Sequence, residues 1–247
     1  MSLFETLFGS KLDMFASDEK KISKYAQRIR NKDTPVEERG AIAEWLADKG
    51  TPEAIVALLG RYEMTYEHSM KDQQEKAFVT DLVLELGDKS IAPLETFLRR
   101  SKTFARPMAC YEKLAGNDQA KTLVLELLDI EFNKSGLKPG KKRHLLIKLA
   151  DYQGEDVTKS ALRFLDDFDE GCRYAAVEVL SAQDETTEIR EALLGLLSSE
   201  DEDSGRVRHR VAETASGRRW ELGGHQAAIA ERTPENFAIA GGVLVSG

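Results

Sequence analysis

At 247 residues, 41% of them hydrophobic and 32% charged, the chain has the composition of a folded protein, which excludes a disordered or membrane-embedded chain. It is long enough for one large domain or an array of smaller units. A formal net charge of −8 disfavours long-range attraction to DNA, RNA or an anionic membrane.

The first residues, MSLFETLFGSKLDMF, lack a positively charged start, and their apolar run is broken by Glu5, Lys11 and Asp13. That pattern does not fit a secretory signal. Leu3, Phe4, Leu7 and Phe8 form an apolar stripe, expected to cap the helices that follow rather than to dock on a membrane or partner. Next, DEKKISKYAQRIRNK predicts a basic amphipathic helix with Ile22, Tyr25, Ala26 and Ile29 facing inward.

Three later stretches superpose without gaps: ERGAIAEWL (38–46), CRYAAVEVL (172–180) and VRHRVAETA (207–215). Arg39, Arg173 and Arg208 share one position, and Glu44, Glu178 and Glu213 share another. Between them lie small or branched apolar residues, as a helix needs where neighbours approach closely on two sides. The arginines are expected to be architectural, each reaching the carbonyl-rich end or an acid of the preceding unit, such as Asp33, Asp169 or Asp203.

Each such helix is followed by a break and a second amphipathic run. In DKGTPEAIVALL, Gly50 stops one helix, Thr51 caps the next, and Pro52 takes its first position. LGDKSIAPLETFL repeats the scheme, with Gly87 as the stop and Ile91, Leu94, Phe97 and Leu98 as the stripe. QGEDVTKSALRFL and DETTEIREALLGLL follow suit, and FVTDLVLELG, RPMACYEKLAG and KRHLLIKLAD supply the more worn first helices. The position of Leu46 recurs at Leu86, Leu114, Leu149, Leu180 and Ala215, in steps of 40, 28, 35, 31 and 35 residues. Recurring helical pairs at that spacing predict a stack in which neighbours bury each other's apolar faces.

After Trp220 the pattern changes. A short helix is followed by FAI and VLV, separated by Ala240, Gly241 and Gly242, which predicts a small hairpin lying on the last repeat. No stretch is long and apolar enough to cross a bilayer. Cys110 and Cys172 sit inside amphipathic runs without metal spacing, and read as buried thiols of a cytoplasmic protein.

The pattern Arg–x–(small)₃–Glu–x–Leu, followed by a Gly/Asp–x–Pro/Ser turn and a second helix, resembles the short HEAT-like repeat of phycobilisome-lyase type. DKGTPEAIVALL and DKSIAPLETFL carry it best, and the resemblance covers roughly Thr34 to Trp220. It implies an all-α fold: a right-handed α-solenoid of about six helical hairpins with a small C-terminal β-hairpin. The expected organisation is N-terminal capping helices over 1–33, the repeat array over 34–220, and a helix with hairpin cap over 221–247.

Enzymatic signals are poor. There is no phosphate-binding glycine loop, and His68, His144, His209 and His225 form no His–x–x–x–His pair and have no following Glu. The His–Glu iron ligands of the HEAT-like deoxyhypusine hydroxylases therefore have no counterpart here. Lys138, Lys141, Lys142 and Arg143, with the arginines of 206–219, form basic clusters, but aromatics are sparse among them. The acidic runs DDFDE and SSEDEDS sit nearby and read as solvated surface. The resulting expectation is a non-catalytic scaffold, without cofactor or metal, that binds a partner protein or peptide. Arg61, Arg99, Arg100 and Arg163 on the second helices are the candidate contacts, suited to an acidic or phosphorylated segment. Two other readings remain: a HEAT-like bilin lyase or isomerase subunit, and a nucleic-acid-binding protein of the HEAT-like alkylpurine glycosylase type.

Overall fold

In the computed structural model, residues 18–67, 69–133 and 140–247 are described. The chain is mostly helical, with a two-stranded antiparallel sheet at its C-terminal end. It divides into two compact units, 1–120 and 121–247. The apolar stripe at Leu3, Phe4, Leu7 and Phe8, together with Lys138 and His68, lies outside the described residues.

In the first unit, α1 spans 18–28, followed by α2 (Val36–Lys49) and α3 (Pro52–Leu59). The break between α2 and α3 follows the turn chemistry of the sequence. Gly50 adopts the left-handed conformation at φ 57° and sends its N–H back to the Leu46 carbonyl, and the Thr51 hydroxyl accepts from the Ala54 N–H. A single 3₁₀ turn (Gly60–Glu63) leads on to α4 (Ser69–Glu85), α5 (Ile91–Arg100) and α6 (Ala105–Ala115). Helix α2 packs on α4 and α4 on α6, while α3 packs on α5. The first helices thus form one row and the second helices another. Ala43 and Ala47 are buried in the first row, where small side chains let helix backbones approach. Leu58, Leu94 and Leu98 are fully buried in the second, each contributing about 1.5–3 kcal/mol relative to exposure.

Trp45 is only half-buried. Its ring meets Tyr25 edge-on at 5.0 Å between centroids and lies beneath the Lys21 ammonium at 4.3 Å, so α1 covers it incompletely.

The division between units falls inside α7 (Asn117–Phe132). The second unit continues with α8 (Lys142–Leu149), α9 (Glu155–Leu162), α10 (Glu170–Ala182), α11 (Thr187–Ser198), α12 (Gly205–Gly217) and α13 (Gln226–Glu231). Asp169, Thr186 and Ser204 cap α10, α11 and α12 through their side chains. Helices α8, α10 and α12 are successive neighbours, as are α9, α11 and α13. Strands β1 (Phe237–Ala240) and β2 (Val243–Ser246) pair antiparallel with Ala240 opposite Val243. The turn is therefore Gly241–Gly242 alone, with φ of 60° and 79°, as the tight mirror-image turn of a hairpin requires. Strand β2 packs on α12 and buries Leu244. No helix among the described residues is long and apolar enough to cross a membrane.

Candidate interaction surfaces

The aligned arginines are joined by a lysine that the sequence comparison passed over. Arg39, near the start of α2, donates from Nε and Nη2 to the two carboxylate oxygens of Glu75 on α4, both at 2.8 Å. Its Nη1 turns back to the Thr34 carbonyl before its own helix. Arg173 repeats this geometry in the second unit. It grips Glu202, ahead of α12, at 2.7 and 2.8 Å, while its Nη1 donates to the Asp167 carbonyl at 3.0 Å. Lys142, seven residues before Leu149 as Arg39 is before Leu46, donates to Asp167 ahead of α10 at 2.5 Å.

The expected carbonyl contacts are therefore present, but the acid comes from the following helical pair, not the preceding one. Of the acids expected, Asp169 caps α10 through Cys172 N–H, and Asp203 is an exposed secondary partner of Arg173 at 3.2 Å. Arg208, at the last aligned position, is half-buried, and its side chain has no ion pair or hydrogen bond among the described residues.

Around Glu75 the clamp widens into a buried charge network, and this is where Arg61 lies. Arg61 is 1% exposed, so it is withdrawn from the partner-binding row expected of it. The 3₁₀ turn after α3 points its guanidinium inward, where Nη2 donates to Asp72 at 2.7 Å and Nε to Glu75 at 2.9 Å. Lys76 donates to the other oxygen of Asp72 at 2.7 Å, and the Tyr66 hydroxyl donates to Glu75 at 2.6 Å. Burial alone would raise the pKa of Glu75, but hydrogen bonds from Arg39, Tyr66 and Arg61 bring it down to about 2. Asp72 is lowered in the same way, burial being outweighed by Lys76 and Arg61. Every strong donor in the network meets an acceptor, which fits a structural core of charge better than a reactive centre. Beside it opens a recess of about 650 Å³ lined by Lys32, Asp33, Thr65, Tyr66 and Glu67.

Arg99 and Arg100 end α5 at the surface, where a cation also favours the helix C-terminus. Arg99 forks onto Glu95 one turn earlier, at 2.7 and 3.1 Å. Among the described residues the Arg100 side chain donates only to the Thr96 carbonyl, at 3.3 Å, and it lines a groove of about 320 Å³ between α1, α3 and α5. Ile22, Ala26, Val56 and Phe97 give this groove an apolar lining, and Arg30 and Glu63 form a loose pair at its edge, 3.4 Å apart. Arg163 belongs to the second unit. It pairs with Asp129, and its guanidinium stacks 4.1 Å from the Phe132 ring centroid. The four candidates thus separate into one buried residue, two neighbours on the α5 surface, and one residue of the other unit.

Two further features were not anticipated. The runs DDFDE and SSEDEDS converge on one recess of about 330 Å³, lined by Leu165, Asp166, Phe168, Arg173, Leu196 and Asp201 among others. In addition, Ser198, His225 and Glu191 form a chain, with Ser198 Oγ 3.0 Å from Nδ1 and Glu191 Oε2 3.3 Å from Nε2. The Ser198 hydroxyl also donates to the Gly195 carbonyl at 3.0 Å, so its proton is directed into its own helix and the trio ties the turn before α13 to α11. Among the described residues, no three His, Cys, Asp or Glu side chains converge as a metal site would require. No family model matches the chain, and no curated protein sequence matches it.

Proposed function

We propose that the helical pairs of each unit are HEAT-like repeats stacked in series, as in a right-handed solenoid. On this reading the protein is a non-catalytic scaffold that holds a partner protein along its second helices. The two rows of helices and the recurring clamp between consecutive first helices support the repeat reading. The clamps tie up Arg39, Lys142 and Arg173 of the first row internally, and the second row is the recognition face on this reading.

The observation that carries the functional reading is the groove beside α5. Ile22, Ala26, Val56 and Phe97 give it an apolar part among charged residues, and on its rim Arg100 has a guanidinium committed to no carboxylate among the described residues. An acidic or phosphorylated segment would supply the missing partner, laying its apolar side chains on Phe97 and Val56. The expected site is therefore Arg100 with its neighbour Arg99; Arg163 would contribute a second, separate contact.

The test uses fluorescein-labelled peptides combining a leucine with glutamate or phosphoserine, titrated against wild type and against Arg99→Glu with Arg100→Glu. Saturable binding that is lost in the double variant, with helicity unchanged, is the expected result. Equal binding by both proteins would remove the groove from consideration.

A further inference from the structure

The recess formed by the two acidic runs belongs to the second unit and shares no lining residue with the α5 groove. We infer that it is a docking site for a guanidinium-bearing segment of a partner protein, an arginine whose stem lies on Phe168 and whose head meets Asp166 and Asp201.

The structure positions the recess through the clamps. Leu165–Phe168 follows α9, and Ser199–Glu202 follows α11. Arg173 holds the two loops together, accepted by the Asp167 carbonyl on one side and the Glu202 carboxylate on the other. Residues about thirty apart in sequence therefore face one cavity in every folded molecule.

The charges in and beside the recess are then sorted by what they already meet. Glu202 is spent on Arg173, and Asp167 on Lys142. Asp166 and Asp201 are exposed, and neither side chain has an ion pair or hydrogen bond among the described residues. Two negative charges therefore remain unneutralised at the rim.

The apolar part points the same way. Phe168 is 57% exposed, an aromatic ring held at the lip of a cavity, while Leu165 and Leu196 are almost buried at its floor. Phe168 already serves as a cation platform, since the Lys142 ammonium lies 5.2 Å from its centroid. An arginine combines the three properties the recess requires: an alkyl stem for the leucines, a flat cation for the ring, and a fork for carboxylates. A bare divalent cation would leave the ring and floor unused, and three convergent ligands of the usual kind are lacking among the described residues.

The probe is the labelled peptide acetyl-GSRLRSG-amide, titrated by fluorescence anisotropy into the full chain, beside acetyl-GSELESG-amide. Spermidine serves as a competitor matched in total charge. Saturable binding of the arginine peptide is expected, uncompeted by the glutamate peptide, which belongs to the α5 groove. It should weaken about tenfold in Asp166→Asn with Asp201→Asn, and about three- to fivefold in Phe168→Ala. All three side chains are exposed, so circular dichroism should show unchanged helicity. No binding to wild type up to about 1 mM, or equal binding to all variants, overturns the inference. Spermidine displacing the peptide at equal charge concentration also overturns it, because ring and floor would then contribute nothing. Arg99→Glu with Arg100→Glu should leave this binding intact, so failure of the α5 groove and failure of this recess are read separately.

Discussion

Glu75 offers the sharpest test of how the first unit is held together. Replacing it with Gln keeps the shape but removes the charge shared by Arg39 and Arg61, which are 3% and 1% exposed. The network holds three cations, Arg39, Arg61 and Lys76, against two carboxylates, Asp72 and Glu75. Glu75→Gln leaves one carboxylate for three buried or nearly buried cations, so the expected loss is that of breaking a buried pair, about 3–5 kcal/mol. The depressed pKa points the same way. A fall from 4.5 to about 2 corresponds to roughly 3 kcal/mol of stabilisation by the ionised form. The sign follows from the depressed folded-state value. The contribution is complete above about pH 4.5 and is lost as pH falls toward 2, where the folded state also takes up the proton. Urea unfolding monitored by circular dichroism should therefore show a difference between wild type and Glu75→Gln that is large at pH 7 and shrinks between pH 4.5 and pH 2. Glu95→Gln, which breaks the exposed pair with Arg99, is the control and should cost below about 0.5 kcal/mol. A Glu75→Gln penalty under about 1 kcal/mol at pH 7, or one that ignores pH, would refute the network as a source of stability.

Arg173→Ala should destabilise the second unit by about 3 kcal/mol, measured as the urea midpoint, because Glu202 is 2% exposed and would keep its charge without a cation. Cys110 and Cys172 should resist a thiol reagent in the native protein and react on unfolding; burial first, then Asp167 and Asp169, pushes the Cys172 thiol up to about 12. Gly242→Val should cost roughly 1–2 kcal/mol and raise hydrogen exchange in the hairpin, since a β-branched residue does not tolerate φ of 79°.

Helix positions were legible in the sequence wherever local chemistry decides them. Gly50, Thr51 and Pro52 carry their turn in three residues, and the stripe Leu94, Phe97 and Leu98 is buried as its spacing requires. The C-terminal hairpin was equally plain, because few alternatives accommodate Gly-Gly between branched residues. What could not be read was the direction of long side chains. Arg61 lies in the turn after an amphipathic helix and resembles a surface residue by spacing, but the 3₁₀ turn sends it inward to acids 11 and 14 positions away. Lys142 was hidden in a basic cluster, although counting seven residues back from each marker leucine would have aligned it with Arg39 and Arg173. The acidic recess was illegible for another reason. Each run alone is a charged loop, and only the packing of α10 against α12 brings the two together.

These failures share a cause, and it bears on how the fold selects one register. Apolar helix faces built from Ala, Val and Leu can slide by a turn at little cost, since one small or branched contact replaces another. A guanidinium that must meet a carboxylate and a loop carbonyl at once cannot slide, because a shifted pair would leave buried charge unmatched. Arg39 and Arg173 each impose that condition between consecutive first helices, and Lys142 adds a carboxylate contact of the same kind, so specificity resides in contacts between residues 25 to 36 positions apart. Local pattern recovers the helices because it is sensitive to burial, whereas the partner of each clamp depends on which helix comes next in space. Arg208 stands at the corresponding place on α12, with β2 packed on that helix instead of another first helix, so the series of clamps stops where the series of helical pairs stops.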